Sequence, residues 1–154
     1  MVNKNNSKAQ DPKTVAMTQH PSCLKDFVGT WQLSRQILQQ HGETFSFEGL
    51  ANFSWSDSEL IYHESGVVIA PDGRELQAQR SYFWQQTGGK LAVLFDDKRF
   101  FHSFSAADPN AQHLCGDDHY VVNYNFDHWP LWESRWQVTG PRKDYKMISV
   151  YRRS

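Results

Sequence analysis

From Thr30 to Gln39 the larger apolar residues take alternate positions, Trp31, Leu33 and Ile37, with Gln32, Ser34 and Gln36 between them. Successive side chains of an extended strand point to opposite faces, so a period of two marks a half-buried strand. Similar runs recur along the chain, each closed by turn residues. The first such closures are Gln40-His41-Gly42, Ser56-Asp57-Ser58, Pro71-Asp72-Gly73 and Gly88-Gly89. Asp96-Asp97-Lys98, Asp108-Pro109-Asn110, Gly116-Asp117-Asp118, Asp127 to Pro130, and Gly140-Pro141 follow. Gly, Pro, Asn and Asp suit tight reversals through their backbone preferences and local hydrogen bonds. Nine turns separate ten runs and predict strands over 30–39, 44–55, 59–69, 74–86, 90–95, 99–106, 111–115, 119–126, 131–139 and 145–152.

Connections this short join antiparallel neighbours and leave no room for parallel crossovers. Helix signals are nearly absent, and Ser22 to Phe27 predicts a single capped turn. A meander of ten strands has two open edges, which closure removes. The expected fold class is therefore all-β: one up-and-down antiparallel β-barrel of about ten strands with a short N-terminal helical turn. A two-sheet sandwich shares the hairpin order and is the alternative architecture.

Length and charge narrow the picture. The 154 residues suffice for one core, so residues 23–154 are read as one domain and 1–22, polar and aperiodic, as a disordered lead-in. No apolar run nears the roughly 20 residues of a membrane helix. The first 22 residues lack the apolar stretch of a signal peptide, so a cytoplasmic location is expected. A formal charge of −1 with scattered arginines carries no footprint for nucleic acid. Cys23 and Cys115 make no disulfide framework and are expected as thiols. Ten Phe, six Tyr and six Trp favour pleated surfaces and a large apolar interior.

Sorting strands by face brings polar groups inward. Arg35 shares a face with Trp31, Leu33 and Ile37; Arg80 shares one with Tyr82 and Trp84. Tyr120, Val122, Tyr124 and Phe126 form another such set, and Trp132, Ser134, Trp136 and Val138 a fourth. An interior guanidinium is costly unless compensated. Either a carboxylate such as Glu64 pairs with it, or it stays free to grip an anionic ligand as a fork. With aromatic walls, such a cavity suits an aromatic or acyl molecule with an acidic or carbonyl end.

The stretch "HLCGDDHY", residues 113 to 120, is the densest in chemistry. Reflection about Asp108-Pro109 sets His102 opposite Leu114 or Cys115, giving a His102, His113, Cys115 cluster. That set lacks the four ligands of a structural zinc site, and no metal is expected. His102 or His113 with Tyr120 is suited to moving a proton near neutral pH. Cys115 becomes a nucleophile only where its thiolate is stabilised. No nucleophile elbow, phosphate loop or dinucleotide fingerprint occurs, so no cofactor is expected. "GPRKDY", residues 140 to 145, is a solvated turn or a basic lip at the barrel mouth.

"FVGTWQLSR", residues 27 to 35, resembles the opening G-x-W strand of the calycins, the lipocalin and fatty-acid-binding barrels. That resemblance implies an Arg from the last strand over Trp31. The terminal "SVYRRS" offers Arg152 or Arg153, and Arg152 is taken as the structural partner. A guanidinium on indole contributes roughly 0.5–2 kcal/mol. Together, "FVGTWQLSR", "HLCGDDHY", "GPRKDY" and "YRR" are similar to a bacterial and fungal domain family of unknown function, across nearly everything after residue 24. Ten strands exceed the eight of lipocalins and match the fatty-acid-binding and nitrobindin-like barrels.

Three functional readings follow. In the first, a monomeric or homodimeric barrel holds a small molecule against Arg35, Arg80, Tyr82, Trp84, His102, His113, Cys115, Tyr120, Tyr124 and Trp136. In the second, the same cavity houses a cofactor-independent isomerase, cyclase or lyase whose proton carriers are His102, His113 or Tyr120. The third is a haem-binding barrel of nitrobindin type with a histidine as axial ligand. Residue types alone leave open whether the protein is an enzyme.

Overall fold

A computed structural model describes residues 20–154, so the expected lead-in falls outside the described residues up to residue 19. A 3-10 turn, Leu24–Phe27, precedes ten strands. These are β1 (Gly29–Gln39), β2 (Thr44–Ser56), β3 (Glu59–Ile69), β4 (Glu75–Thr87) and β5 (Lys90–Leu94). β6 (Phe100–Phe104), β7 (Asn110–Cys115), β8 (Asp118–His128), β9 (Leu131–Gly140) and β10 (Lys143–Arg153) complete them. Among the described residues no helix is long and apolar enough to cross a membrane.

One continuous antiparallel sheet runs β6-β5-β4-β3-β2-β1-β10-β9-β8-β7. The first and last strands pair in its middle, from Trp31 opposite Arg153 to Gln39 opposite Tyr145. The sheet rolls until β6 approaches β7, but no ladder joins them. The result is a nearly closed barrel rather than a two-sheet sandwich.

At that seam β6 is shorter than the sequence pattern implies. Val93 lies opposite His102 while Leu94 lies opposite Phe100, so Phe101 is an extra residue in a bulge. A bulge breaks the period of two and re-aims side chains. Adjacent Phe101 and His102 are consequently both buried.

Aromatic rings close one end. Phe27 is fully buried and packs on Phe53, Trp84, Phe126, Trp129 and Trp132 at centroid distances of 5.1 to 6.1 Å. The turn that carries it is anchored by Asp26, whose carboxylate accepts from the backbone N–H of Ser22 (2.8 Å) and Cys23 (3.2 Å). Trp31 donates its indole N–H to the Phe27 carbonyl at 2.9 Å. The cation over Trp31 is Arg153, 3.9 Å from the ring centroid, and not Arg152. The register explains this correction: Arg153 is the partner of Trp31, whereas Arg152 pairs with exposed Gln32 and faces outward. Arg153 also donates to the carbonyls of Asp26 (2.6 Å) and Val28 (2.8 Å), tying the end of β10 to the turn.

Rolling the sheet requires a tight crossing between β2 and β3, where Gly49 faces Gly66. A Cβ on Gly66 would meet the Glu48 carbonyl oxygen at 2.3 Å and Gly49 Cα at 2.7 Å. Those contacts are backbone and have no rotamer to yield. Gly66→Ala is expected to destabilise the protein by about 1–3 kcal/mol, the usual range for overpacking. Urea unfolding checks this; a loss within error would show that the strands separate without penalty.

Candidate functional site

Alternation on β1, β3 and β10 sends a row of polar side chains into the barrel. Arg35 is buried, and its fork meets Glu64: Nη1 to Oε2 at 2.6 Å and Nη2 to Oε1 at 2.9 Å. Its Nε donates to Ser149 Oγ at 2.7 Å. Tyr62 donates to Glu64 Oε1 at 2.5 Å and lies 2.9 Å from the Tyr151 hydroxyl. Because the Tyr62 proton goes to the carboxylate, Tyr151 donates to Tyr62.

These contacts set the protonation states. Burial pushes the Glu64 carboxyl up, but the hydrogen bonds and charge of Arg35, with help from Arg80 and Tyr62, hold it below the usual carboxylate range. Burial raises the Tyr62 hydroxyl well above its ordinary value and takes that of Tyr151 to about 12. The pair is ionised and both phenols are neutral.

Arg80 differs from Arg35. Its Nε stands 3.7 Å from Glu64 Oε2, its Nη1 donates to the Tyr82 hydroxyl at 3.1 Å, and 42 % of its side chain is exposed. Two guanidiniums thus share one carboxylate, leaving one positive charge over. Of the two fates foreseen for an interior arginine, Arg35 takes the salt bridge. Arg80 keeps N–H groups for another partner.

Deeper in, His102 is 1 % exposed and sits 2.8 Å from Tyr124 Oη through Nε2. Burial, then the charge of His113, draws the His102 imidazole down to about 3, so it is neutral at ordinary pH. His102 Nδ1 and Trp132 Nε1 are buried with no hydrogen-bond partner among the described residues. Around these groups lies a cavity of about 30 Å³, walled by Tyr82, Trp84 and Trp136 and floored by Trp132 and Tyr151. Arg35, Glu64, Arg80, His102 and Tyr124 also reach it. At roughly 10–15 Å³ per water, it has room for two or three waters.

Other residues singled out in the sequence lie elsewhere. His113 is half-buried against Phe101 and Phe95, at centroid distances of 5.4 and 5.9 Å. Tyr120 also packs on Phe101 at 5.4 Å, and its ring stands 6.3 Å from that of His113. Cys115 is exposed at the end of β7. The expected His102, His113, Cys115 cluster does not form: no three of His, Cys, Asp or Glu make a metal-binding group among the described residues. Reflection about a turn presumes a ladder, and β6 and β7 have none; the bulge at Phe101 turns His102 toward Tyr124 instead.

Lys143, from "GPRKDY", bonds Asp118 Oδ2 at 3.0 Å and reaches Tyr120 Oη at 3.5 Å. The Asp118 bond raises the Lys143 ammonium to about 12. The charge that Lys143 brings to this turn is thus partly neutralised by Asp118. Sequence reasoning left Tyr62, Trp132, Ser149 and Tyr151 out of the site. A usable signal existed for Tyr62, two residues before Glu64 and therefore on its face. Ser149 and Tyr151 share a face in the same way, but only the β1–β10 pairing brings them to Arg35.

A family model described as a family of unknown function (DUF6314) matches residues 27–153. No curated protein matches the sequence. Among solved structures, the S-type phycobiliprotein lyase CPES from Guillardia theta is similar, with a TM-score of 0.64 at 9% identity, covering 85% of this chain and 90% of that one. A de novo designed fluorescence-activating β-barrel matches at a TM-score of 0.40 and 12% identity, over 88% of this chain and 100% of the design. At such identities the likeness to the lyase is one of fold.

Proposed function

We propose that this chain, which belongs to the DUF6314 family, binds a small aromatic or acyl molecule inside its barrel, with Arg80 holding an acidic end. The observation that carries this reading is the surplus guanidinium. Glu64 neutralises Arg35 by two hydrogen bonds, while Arg80 stands at 3.7 Å with N–H groups to spare, above walls of Tyr82, Trp84 and Trp136. A charged fork beside aromatic surface suits a ligand with one anionic and one apolar part. A cavity of about 30 Å³ admits such a molecule only if the wall gives. The β6–β7 seam supplies that movement without breaking ladder hydrogen bonds, and Phe101 and His102 line it.

A second reading, a cofactor-independent isomerase, cyclase or lyase, is favoured by the His102–Tyr124 pair at the same cavity. A neutral imidazole bonded to a phenol is a proton relay in need of a substrate. The lyase of like fold shares the architecture, and fold alone does not transfer chemistry. Haem finds less support: His102 Nε2 is committed to Tyr124, and a macrocycle far exceeds the present space.

Titration calorimetry with 4-phenylbutanoate and its uncharged amide tests the anion site. Wild-type protein is expected to prefer the carboxylate, and Arg80→Gln to reduce that preference about tenfold, as loss of a charge-assisted hydrogen bond does. An unchanged preference would remove Arg80 from the reading.

A further inference from the structure

His102 and Trp132 both line the cavity, and each has a buried nitrogen, Nδ1 and Nε1, with no hydrogen-bond partner among the described residues. Buried donors almost always find acceptors, so two left over on residues that line one small cavity point to an occupant. The indole is a donor only. For the imidazole, the role follows from its neighbour. Among the described residues Tyr124 Oη bonds only His102 Nε2, at 2.8 Å. Of the two groups the phenol is the stronger acid and the imidazole nitrogen the stronger base, so Tyr124 donates to Nε2. The single proton of the neutral ring then sits on Nδ1, as a second unmatched N–H. The His102 ring is held neutral by burial, Arg35 is engaged by Glu64, and the remaining cation on this cavity, Arg80, is taken by the ligand's acidic end in the reading above. With Arg80 so used, a second carboxylate at His102 would lose its water without a counter-charge of its own. A neutral oxygen acceptor meets no such penalty.

We propose that the inner end of the cavity is a carbonyl site, in which a ketone or similar neutral C=O accepts from His102 Nδ1–H, with Trp132 Nε1–H as the second donor. The inference rests on the pocket reading above and sharpens it. A ligand with its anion at Arg80 and a carbonyl at His102 is an aryl or acyl keto acid rather than a simple carboxylic acid. The oxygen would replace water in a space of about 30 Å³, and Tyr124, on the far side of the imidazole, fixes the tautomer that donates.

The test compares 4-oxo-4-phenylbutanoate with 4-phenylbutanoate, which has the same chain and charge without the ketone. Wild-type protein is expected to bind the keto acid at least tenfold more tightly. His102→Gln keeps an acceptor near Nε2 but has no counterpart of Nδ1–H, and should bring the affinity ratio close to one. His102→Asn places an amide N–H near Nδ1 and should restore part of the preference. Should either variant fold poorly, wild-type NMR decides. The Nδ1–H and Trp132 Nε1–H protons are expected to shift downfield with the keto acid and not with 4-phenylbutanoate. If 4-phenylbutanoate binds but the ketone adds no affinity and moves neither proton, water satisfies these donors and the carbonyl site is overturned, with the Arg80 site intact. If neither compound binds, the Arg80 reading fails and takes the carbonyl site with it.

Discussion

Glu64→Gln is expected to destabilise the barrel by about 3–5 kcal/mol, the range for removing one partner of a buried ion pair. Arg35 would keep its charge at 5 % exposure while losing both bonds to the carboxylate. Tyr62 would exchange an ionised acceptor for a weaker amide oxygen, and Arg80 would lose its nearest anion. The penalty comes from the stranded cation, not from the gross strength of the pair. Replacing both partners together, Arg35→Met with Glu64→Leu, should therefore cost much less than the single change. Urea unfolding of the three proteins checks this; a single-variant loss below about 1 kcal/mol would mean that water reaches Arg35.

The same carboxyl makes stability depend on pH with a definite sign. Its folded-state pKa lies below the ordinary value, so the folded protein binds its proton less readily than the unfolded chain. Its contribution is complete above the unfolded value of about 4.3 and is lost as pH falls below that toward the folded value. Wild-type stability should begin to decline below about pH 6.5, where unfolded His102 takes a proton that the buried ring refuses, and Glu64→Gln should flatten only the part of the profile below about pH 5.

What the sequence could and could not convey divides along the seam. Wherever a strand has two hydrogen-bonded neighbours, period two was a dependable guide. It sent Arg35 inward with Trp31 and Leu33, and it placed Tyr124 with Val122 and Phe126. Where a ladder is bulged or missing, the pattern misled. Phe101 and His102 are consecutive and both buried, an arrangement that alternation forbids and a bulge permits. His113 and Cys115 were grouped with His102 on the assumption of a β6–β7 hairpin ladder that does not exist. Pairing between distant strands was the other blind spot. Tyr62 and Tyr151 are 89 residues apart and meet hydroxyl to hydroxyl, which no local pattern encodes. The choice between Arg152 and Arg153 depended on one residue of register, and a shift of one exchanges the two faces.

At the closed end, Phe27→Ala is expected to cost about 3–5 kcal/mol, the usual loss for truncating a buried aromatic ring. The ring is fully buried and meets five other aromatic residues, so its removal leaves a void that a rigid floor cannot collapse to fill. The turn itself should persist. Trp31 bonds the backbone carbonyl of Phe27, Asp26 accepts from Ser22 and Cys23, and Arg153 grips two turn carbonyls, none of which needs the ring. The loss is then one of packing alone, and an apolar solute should recover part of it, since dry apolar voids take up molecules such as benzene. Thermal unfolding with and without toluene measures both effects. A melting temperature raised by toluene in Phe27→Ala but not in wild type identifies the ring as the plug of the barrel floor. A small loss with no rescue would instead place the turn as an outer flap, and the cavity would then be open at the Trp31 end as well as at Arg80.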